Sequence, residues 1–143
     1  MPRFQIDLPE HFPFKTTLPI RIHEVNYGKH LGNDAVLSLV HEARMQFLHH
    51  VGFSEFDVGG VGIIMIDAAM QYKAEGFWGD EIEVHVAVGD LTNTGFDLYY
   101  KLVNNTRGQD LAYVKTGMLC FDYESRKVRR LPEVFREKFS DSL

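Results

Sequence analysis

The sequence predicts an α+β fold in which one long helix is wrapped by an antiparallel sheet of five or six strands. Two observations carry this. A single long stretch, from about residue 34 to 51, repeats its apolar residues at helical spacing, and almost everything after Gly62 alternates at the period of two that marks strands. The chain has 143 residues, the length of one ordinary domain, so residues 1–143 are read as one unit with an extended arm (1–14) and a C-terminal tail (133–143).

The elements follow in order. Residues 1–14 are proline-containing and predict an extended arm, and residues 15–25, with Thr16, Thr17, Leu18, Ile20, Ile22 and Val25, suit a strand. A polar loop from Tyr27 to Gly32 leads to Asn33 or Asp34, either of which predicts a helix N-cap. Val36, Val40, Ala43, Phe47 and Val51 then fall on one helical face, and Gly52 is the residue type preferred just past a helix C-terminus. Residues 62–74 form a long apolar run, expected as a central strand buried on both faces. After a turn at Trp78-Gly79-Asp80, Ile82, Val84, Val86 and Val88 alternate with other residues, as do Phe96, Leu98, Tyr100 and Leu102. Residues 104–109 read as a turn, 110–123 as a strand, 125–131 as a short last strand, and 132–143 as a helical turn or two with a frayed end. One helix covers only one face of such a sheet. The remaining apolar surface and open edge predict a homodimer, with a tetramer of two dimers left open.

Composition narrows the function classes. A net charge of −5 argues against a general nucleic-acid binder, which needs a basic surface to neutralise phosphates. The longest apolar run, residues 58–66, contains glycines and is far shorter than the roughly 20 residues of a membrane helix. The early charges Arg3, Asp7, Glu10 and Lys15 leave no signal-peptide core, and the lone Cys120 forms no internal disulfide. These readings predict a cytoplasmic protein without membrane insertion. No histidine pairing has metal-ligand spacing, and neither a Gly-X-Ser-X-Gly elbow nor a phosphate loop occurs. Cys120 reads as a core thiol.

Three stretches bear a family likeness: Arg21-Ile22-His23-Glu24-Val25-Asn26-Tyr27-Gly28-Lys29-His30-Leu31-Gly32-Asn33; Glu42-Ala43-Arg44 with Phe47-Leu48 and Gly52-Phe53; and Tyr72 followed by Gly79-Asp80-Glu81-Ile82-Glu83-Val84. In order and spacing they resemble the hotdog thioesterase superfamily, in particular its 4-hydroxybenzoyl-CoA thioesterase-like and acyl-acyl carrier protein thioesterase branches. The resemblance runs from Arg21 to about Pro132. It implies a hotdog fold and hydrolysis of an acyl thioester, with coenzyme A or acyl carrier protein as part of the substrate and no separate cofactor or metal.

The resemblance also suggests site residues. Many relatives carry a catalytic Asp where this chain has Asn26, and an amide orients water or donates a hydrogen bond but does not act as a base. The alternative reading of Asn26 is a loop residue that stabilises a turn. His30 matches the histidine of the acyl carrier protein thioesterase branch and has the intrinsic pKa of a general base, although Gly28 replaces the Asn expected two positions earlier. Glu75 falls where that branch carries a glutamate thought to act with the histidine; otherwise it is an exposed residue beside a turn. Gly32, Asn33 and Asp34 mark the helix N-terminus, whose unpaired N–H groups suit substrate binding at a developing oxyanion. Glu42, catalytic in some relatives, lies off the apolar stripe and is a secondary candidate. Asp67 faces a subunit interface or ligand pocket or, more safely read, plays a hydrogen-bonded structural role. Lys101, Arg107, Lys115, Arg126, Lys127, Arg129 and Arg130 are equally well read as binders of coenzyme A phosphates or as solvated strand and turn positions. Phe53, Phe56, Met70, Phe77 and Trp78 line either an acyl pocket or a dimer core. The missing Asp also predicts an alternative, an acyl-CoA or acyl carrier protein binder without turnover. A hotdog dehydratase or hydratase ranks third, supported only by the Asn26–His30 spacing.

Overall fold

In a computed structural model, which describes residues 4–28 and 30–140, every strand pair is antiparallel. The first residues of the arm, Lys29 and the last of the tail lie outside the described residues. The elements run β1 (Phe14–Pro19), a 3-10 turn (Ile22–Glu24), α1 (Asn33–His50), β2 (Gly62–Tyr72), β3 (Glu81–Leu91), β4 (Gly95–Asn104), β5 (Gln109–Asp122), β6 (Lys127–Val128) and α2 (Glu133–Phe139). The sheet order is β1-β3-β4-β5-β2, with β6 paired to β5.

The alternation read from the sequence sets this arrangement. Ile82, Val84, Val86 and Val88 of β3 and Phe96, Leu98, Tyr100 and Leu102 of β4 point inward and are buried. They meet Val36, Leu39, Val40, Ala43, Phe47 and Leu48 of α1 in one core. Each large apolar side chain withdrawn from water here stabilises the fold by about 2 kcal/mol. Tyr100, also fully buried, keeps its hydroxyl paired with Thr116 Oγ1 at 2.8 Å. Arg44 Nη1 donates to that hydroxyl at 3.3 Å while its Nε donates to Glu55 at 3.0 Å, so the one cation on the inner side of α1 is satisfied.

Several expectations are corrected. The strand foreseen over 15–25 stops at Pro19, because Ile20 N–H turns to the Asp80 carbonyl and Glu24 accepts the Arg21 N–H, which closes the 3-10 turn. Gly32, not Asn33 or Asp34, is the N-cap of α1, and no side chain bonds to that end. The run at 62–74 is not buried on both faces. β2 pairs only with β5, at the end of the sheet, and Met65, Ile66, Asp67 and Ala68 are exposed. A bulge at Ile66 interrupts its register with β5. The last strand shrinks to Lys127–Val128. The tail holds the two helical turns foreseen, α2, which buries Phe135 and Phe139 against Phe96, Phe53 and Phe47, while the end expected to fray lies outside the described residues. Residues 4–13 of the arm form no helix or strand, and the arm is tied to β2 by Ile6 N–H donating to Gln71 Oε1 at 3.1 Å.

Candidate functional site

The N-terminus of α1 opens on a cavity of about 100 Å3 lined by His30, Leu31, Asn33, Val36, Tyr72, Ala74, Glu75, Gly76 and Leu111. Three segments far apart in sequence meet there. Leu31 N–H donates to the Gly76 carbonyl at 2.7 Å and His30 bridges Phe77, which fastens the loop before α1 to the segment after β2. Lys73 and Ala74 N–H both donate to the Leu111 carbonyl, which holds that segment against β5. Gly76 packs closely here, since a Cβ would sit 2.7 Å from the buried Ile20 Cδ1 and would force that side chain to shift.

The first turn of α1 supplies unpaired donors. Gly32 N–H is spent on the Glu24 carbonyl at 2.9 Å and Ala35 N–H on the Gly32 carbonyl at 3.1 Å. The amides of Asn33 and Asp34, between them, have no carbonyl one turn back to bond to. A partial positive charge at a helix start adds to their attraction for an anion. The Tyr72 hydroxyl donates to the Asn33 carbonyl at 3.3 Å. Burial first, and the nearby Asp34 carboxylate second, push the Tyr72 pKa up, so its hydroxyl stays a donor at neutral pH.

His30 is half-buried, with Nδ1 3.1 Å from the Leu31 carbonyl oxygen. A carbonyl only accepts, so Nδ1 carries the proton of the neutral ring and Nε2 is left as an acceptor. Gly28 keeps that atom uncovered. A Cβ at position 28 would stand 3.2 Å from His30 Nε2 and 3.2 Å from Asn26 Oδ1. This is a physical reason for the glycine where the resemblance suggested Asn. Asn26 itself is exposed, and its Oδ1 accepts the Gly28 N–H at 2.8 Å. It shapes the loop beside His30 and is not among the residues lining the cavity.

The structure therefore brings together His30, Glu75 and Asn33, with Gly32 and Asp34 on either side of Asn33. Glu42 stands apart: it is exposed, accepts from Gln46 Nε2 at 2.8 Å, and borders a different depression with Leu18, Pro19, Arg21 and Leu39. Cys120 is buried, and burial pushes its thiol up to about 11, far from a working thiolate. Among the described residues no group of His, Cys, Asp or Glu is placed to hold a metal ion. No described helix is long and apolar enough to cross a membrane.

A family model described as the thioesterase-like superfamily matches residues 20–139. The chain belongs to that superfamily. Its fold is the hotdog fold of solved thioesterases. A 1,4-dihydroxy-2-naphthoyl-CoA thioesterase from Synechocystis is 20% identical and superposes with a TM-score of 0.79, covering 90% of this chain and 96% of its own. A Staphylococcus aureus protein solved in complex with CoA is 14% identical, with a TM-score of 0.79 and coverage of 96% and 87%. A 12:0-ACP thioesterase from Umbellularia californica is 19% identical, with a TM-score of 0.77, covering 91% of this chain and 50% of its own. At such identities the likeness is one of fold.

Two residues of this thioesterase-like chain went unassigned from sequence. Tyr72 and Asp80 were visible only as parts of a motif. The Asp80 carboxylate is buried and accepts from Phe77 N–H at 3.0 Å, Asn104 Nδ2 at 2.8 Å and Arg107 Nε at 2.7 Å. Burial alone would raise its pKa, but the bonds from Arg107, Asn104 and Phe77 outweigh it and hold the carboxyl below the usual 3.8. The signal was the Gly79-Asp80 pair, where an acidic residue follows a turn glycine with φ of +85°.

Proposed function

We propose that this protein hydrolyses an acyl thioester of coenzyme A or an acyl carrier protein, as a cytoplasmic homo-oligomer. The observation that carries the reading is the cavity in which the start of α1 meets His30 and Glu75. The substrate carbonyl lies against the amides of Asn33 and Asp34, behind Gly32, where negative charge develops as the tetrahedral centre forms. His30 Nε2 takes a proton from the attacking water, and Glu75, on the same cavity wall, stabilises the resulting imidazolium or orients the water. Asn26 acts on the loop that carries His30, since its Oδ1 is engaged by Gly28 N–H. The carrier thiolate leaves and takes up a proton. No metal or separate cofactor enters the scheme.

The exposed apolar residues Met65 and Ile66 on the end strand β2 support oligomerisation, because a monomer leaves them and the strand edge in water. A second reading, acyl-thioester binding without turnover, is favoured by the absence of a carboxylate at position 26.

Thiol release from acyl-CoA substrates of graded length, aromatic ones included, tests the proposal. His30→Ala is expected to lower turnover 100- to 10,000-fold, the usual contribution of a positioned acid-base group, and Glu75→Ala to lower it less. Release that is undiminished in His30→Ala would remove the base from the mechanism. No release from any substrate by a folded protein would favour the binding reading.

A further inference from the structure

We infer that residues 77–80 and the neighbouring turn 105–108 form the site for the nucleotide end of a coenzyme A carrier, with Trp78 as the stacking face and Arg107 as the phosphate partner. The inference deepens the proposed function and, for the reaction, rests on it.

Trp78 is the only tryptophan in the chain and is 66% exposed. Tryptophan is the side chain with the largest flat apolar face, and it is enriched where proteins bind other molecules. The turn that presents this one is rigid. Asp80 N–H donates to the Phe77 carbonyl at 3.0 Å, Gly79 N–H to the Ile20 carbonyl at 3.0 Å, and the buried Asp80 carboxylate gathers three more donors from the two turns. An indole held on such a turn is a preorganised platform that loses little freedom when a base stacks on it.

Arg107 is bonded to the same turn through Asp80. Its guanidinium lies 4.4 Å from the centre of the Phe77 ring, and its Nε is committed to Asp80. Its two terminal nitrogens make no hydrogen bond within the chain among the described residues. A planar fork fixed on one side by a carboxylate and on one face by a ring, with its outer donors turned away from Asp80, suits a phosphate.

The position fits the same ligand. Phe77 bridges His30, and Gly76 lines the catalytic cavity, so the platform stands on the rim of that cavity. A flexible arm joining nucleotide to thioester spans from one to the other. The occupant is coenzyme A because its nucleotide end offers both things this place can hold, a flat base to stack on the indole and phosphate oxygens to accept from the outer guanidinium donors of Arg107.

The single tryptophan makes the test direct. Fluorescence of the full-length protein is expected to show a water-exposed indole. Coenzyme A and adenosine 3′,5′-bisphosphate should quench it saturably, and pantetheine should not. In Trp78→Ala, kcat/KM for an acyl-CoA should fall about tenfold relative to that for the matching acyl-pantetheine, the size of one lost base–aromatic stack. In Arg107→Gln, quenching by the bisphosphate should need a severalfold higher concentration. Quenching without thiol release would uphold the nucleotide site and discard hydrolysis. Thiol release from acyl-CoA without quenching would overturn the nucleotide site and keep hydrolysis. Equal quenching by pantetheine, a buried indole emission from a second copy covering Trp78, or preferred turnover of acyl carrier protein thioesters would also overturn it.

Discussion

The two ends of α1 are finished in opposite ways. At the C-terminal end, Val51 N–H returns to the Phe47 carbonyl, Gly52 N–H to His49 and Phe53 N–H to Leu48, with Gly52 at φ +87°. Lys138 Nζ adds a bond to the Val51 carbonyl at 2.7 Å, and Phe53 packs on Phe135 at 5.5 Å. This end is closed by the chain itself. At the N-terminal end Gly32 offers no capping oxygen, and the cavity with His30 and Glu75 stands where a cap would be. With glycine as the N-cap, the missing side-chain bond costs only about a few tenths of a kcal/mol relative to a capping Ser or Asp, so this end stays open at little expense to stability. The difference teaches where to look: one end of the helix has its donors and acceptors closed by the chain, and the other leaves amides open beside His30 and Glu75.

The sharpest way to break this comparison is Asn33→Pro. Proline is tolerated at the first helical position, and Gly32, at φ −73° and ψ 152°, already has the backbone that precedes a proline. The substitution deletes one amide donor and little else. Thiol release should fall 100- to 1,000-fold with the melting temperature nearly unchanged, and Asn33→Ala, which keeps the amide, should lose far less. A Pro variant as active as the Ala variant would show that the amide is not a donor to the reaction.

Next in size is Asp80, which braces the turn opposite His30. Asp80→Asn should cost about 2 kcal/mol, read from denaturant midpoints, because it removes a charged acceptor from three donors. The folded pKa lies below 3.8, so the wild-type contribution is complete above 3.8 and is lost as pH falls through the lower folded value. The stability difference between wild type and Asp80→Asn should therefore shrink on acidification. A difference that stays constant from neutral to strongly acidic pH would refute the ionised bridge.

The smallest effect belongs to the closed end. Gly52→Ala forces a Cβ into the left-handed region and should destabilise by about 1 kcal/mol, with thiol release intact below the melting transition. Loss of turnover there without loss of stability would mean that both ends serve the reaction.

Much of this fold was legible because local pattern and tertiary burial agree in it. The inward residues of β3 and β4 are the ones their alternation names, and the bounds of α1 differ by a residue at each end. β2 was misread for a physical reason. An apolar run is the same whether the chain's own strands flank it or its edge is left bare, and periodicity cannot distinguish the two. The helix start was missed because Asn33 and Asp34 are good caps, while the backbone gave that place to Gly32 under the constraint of its bond to Glu24. At the site, the family likeness pointed to His30 and Glu75, which line one cavity, although Glu75 is exposed, as its alternative reading had it. The resting state of Asn26 matches the turn-stabilising alternative also weighed for it. Asp80 stayed hidden because its donors come from another turn, 24 and 27 residues away.

The extra residue in β2 changes what a deletion means in this protein. Before Ile66 the odd-numbered Ile63 and Met65 face the helix; after it the even-numbered Met70 and Tyr72 do. Ile66 therefore works as a phase shifter between two halves of one strand. Losing it would leave Met65 and Asp67 as consecutive partners of Met118 and Gly117, so that plain alternation carries Ala68, Met70 and Tyr72 on the face they already occupy, and only the local bend and added twist disappear. For this strand, a one-residue deletion at the bulge is thus absorbed without turning either half over, whereas the same deletion within a paired half shifts the register of the residues beyond it.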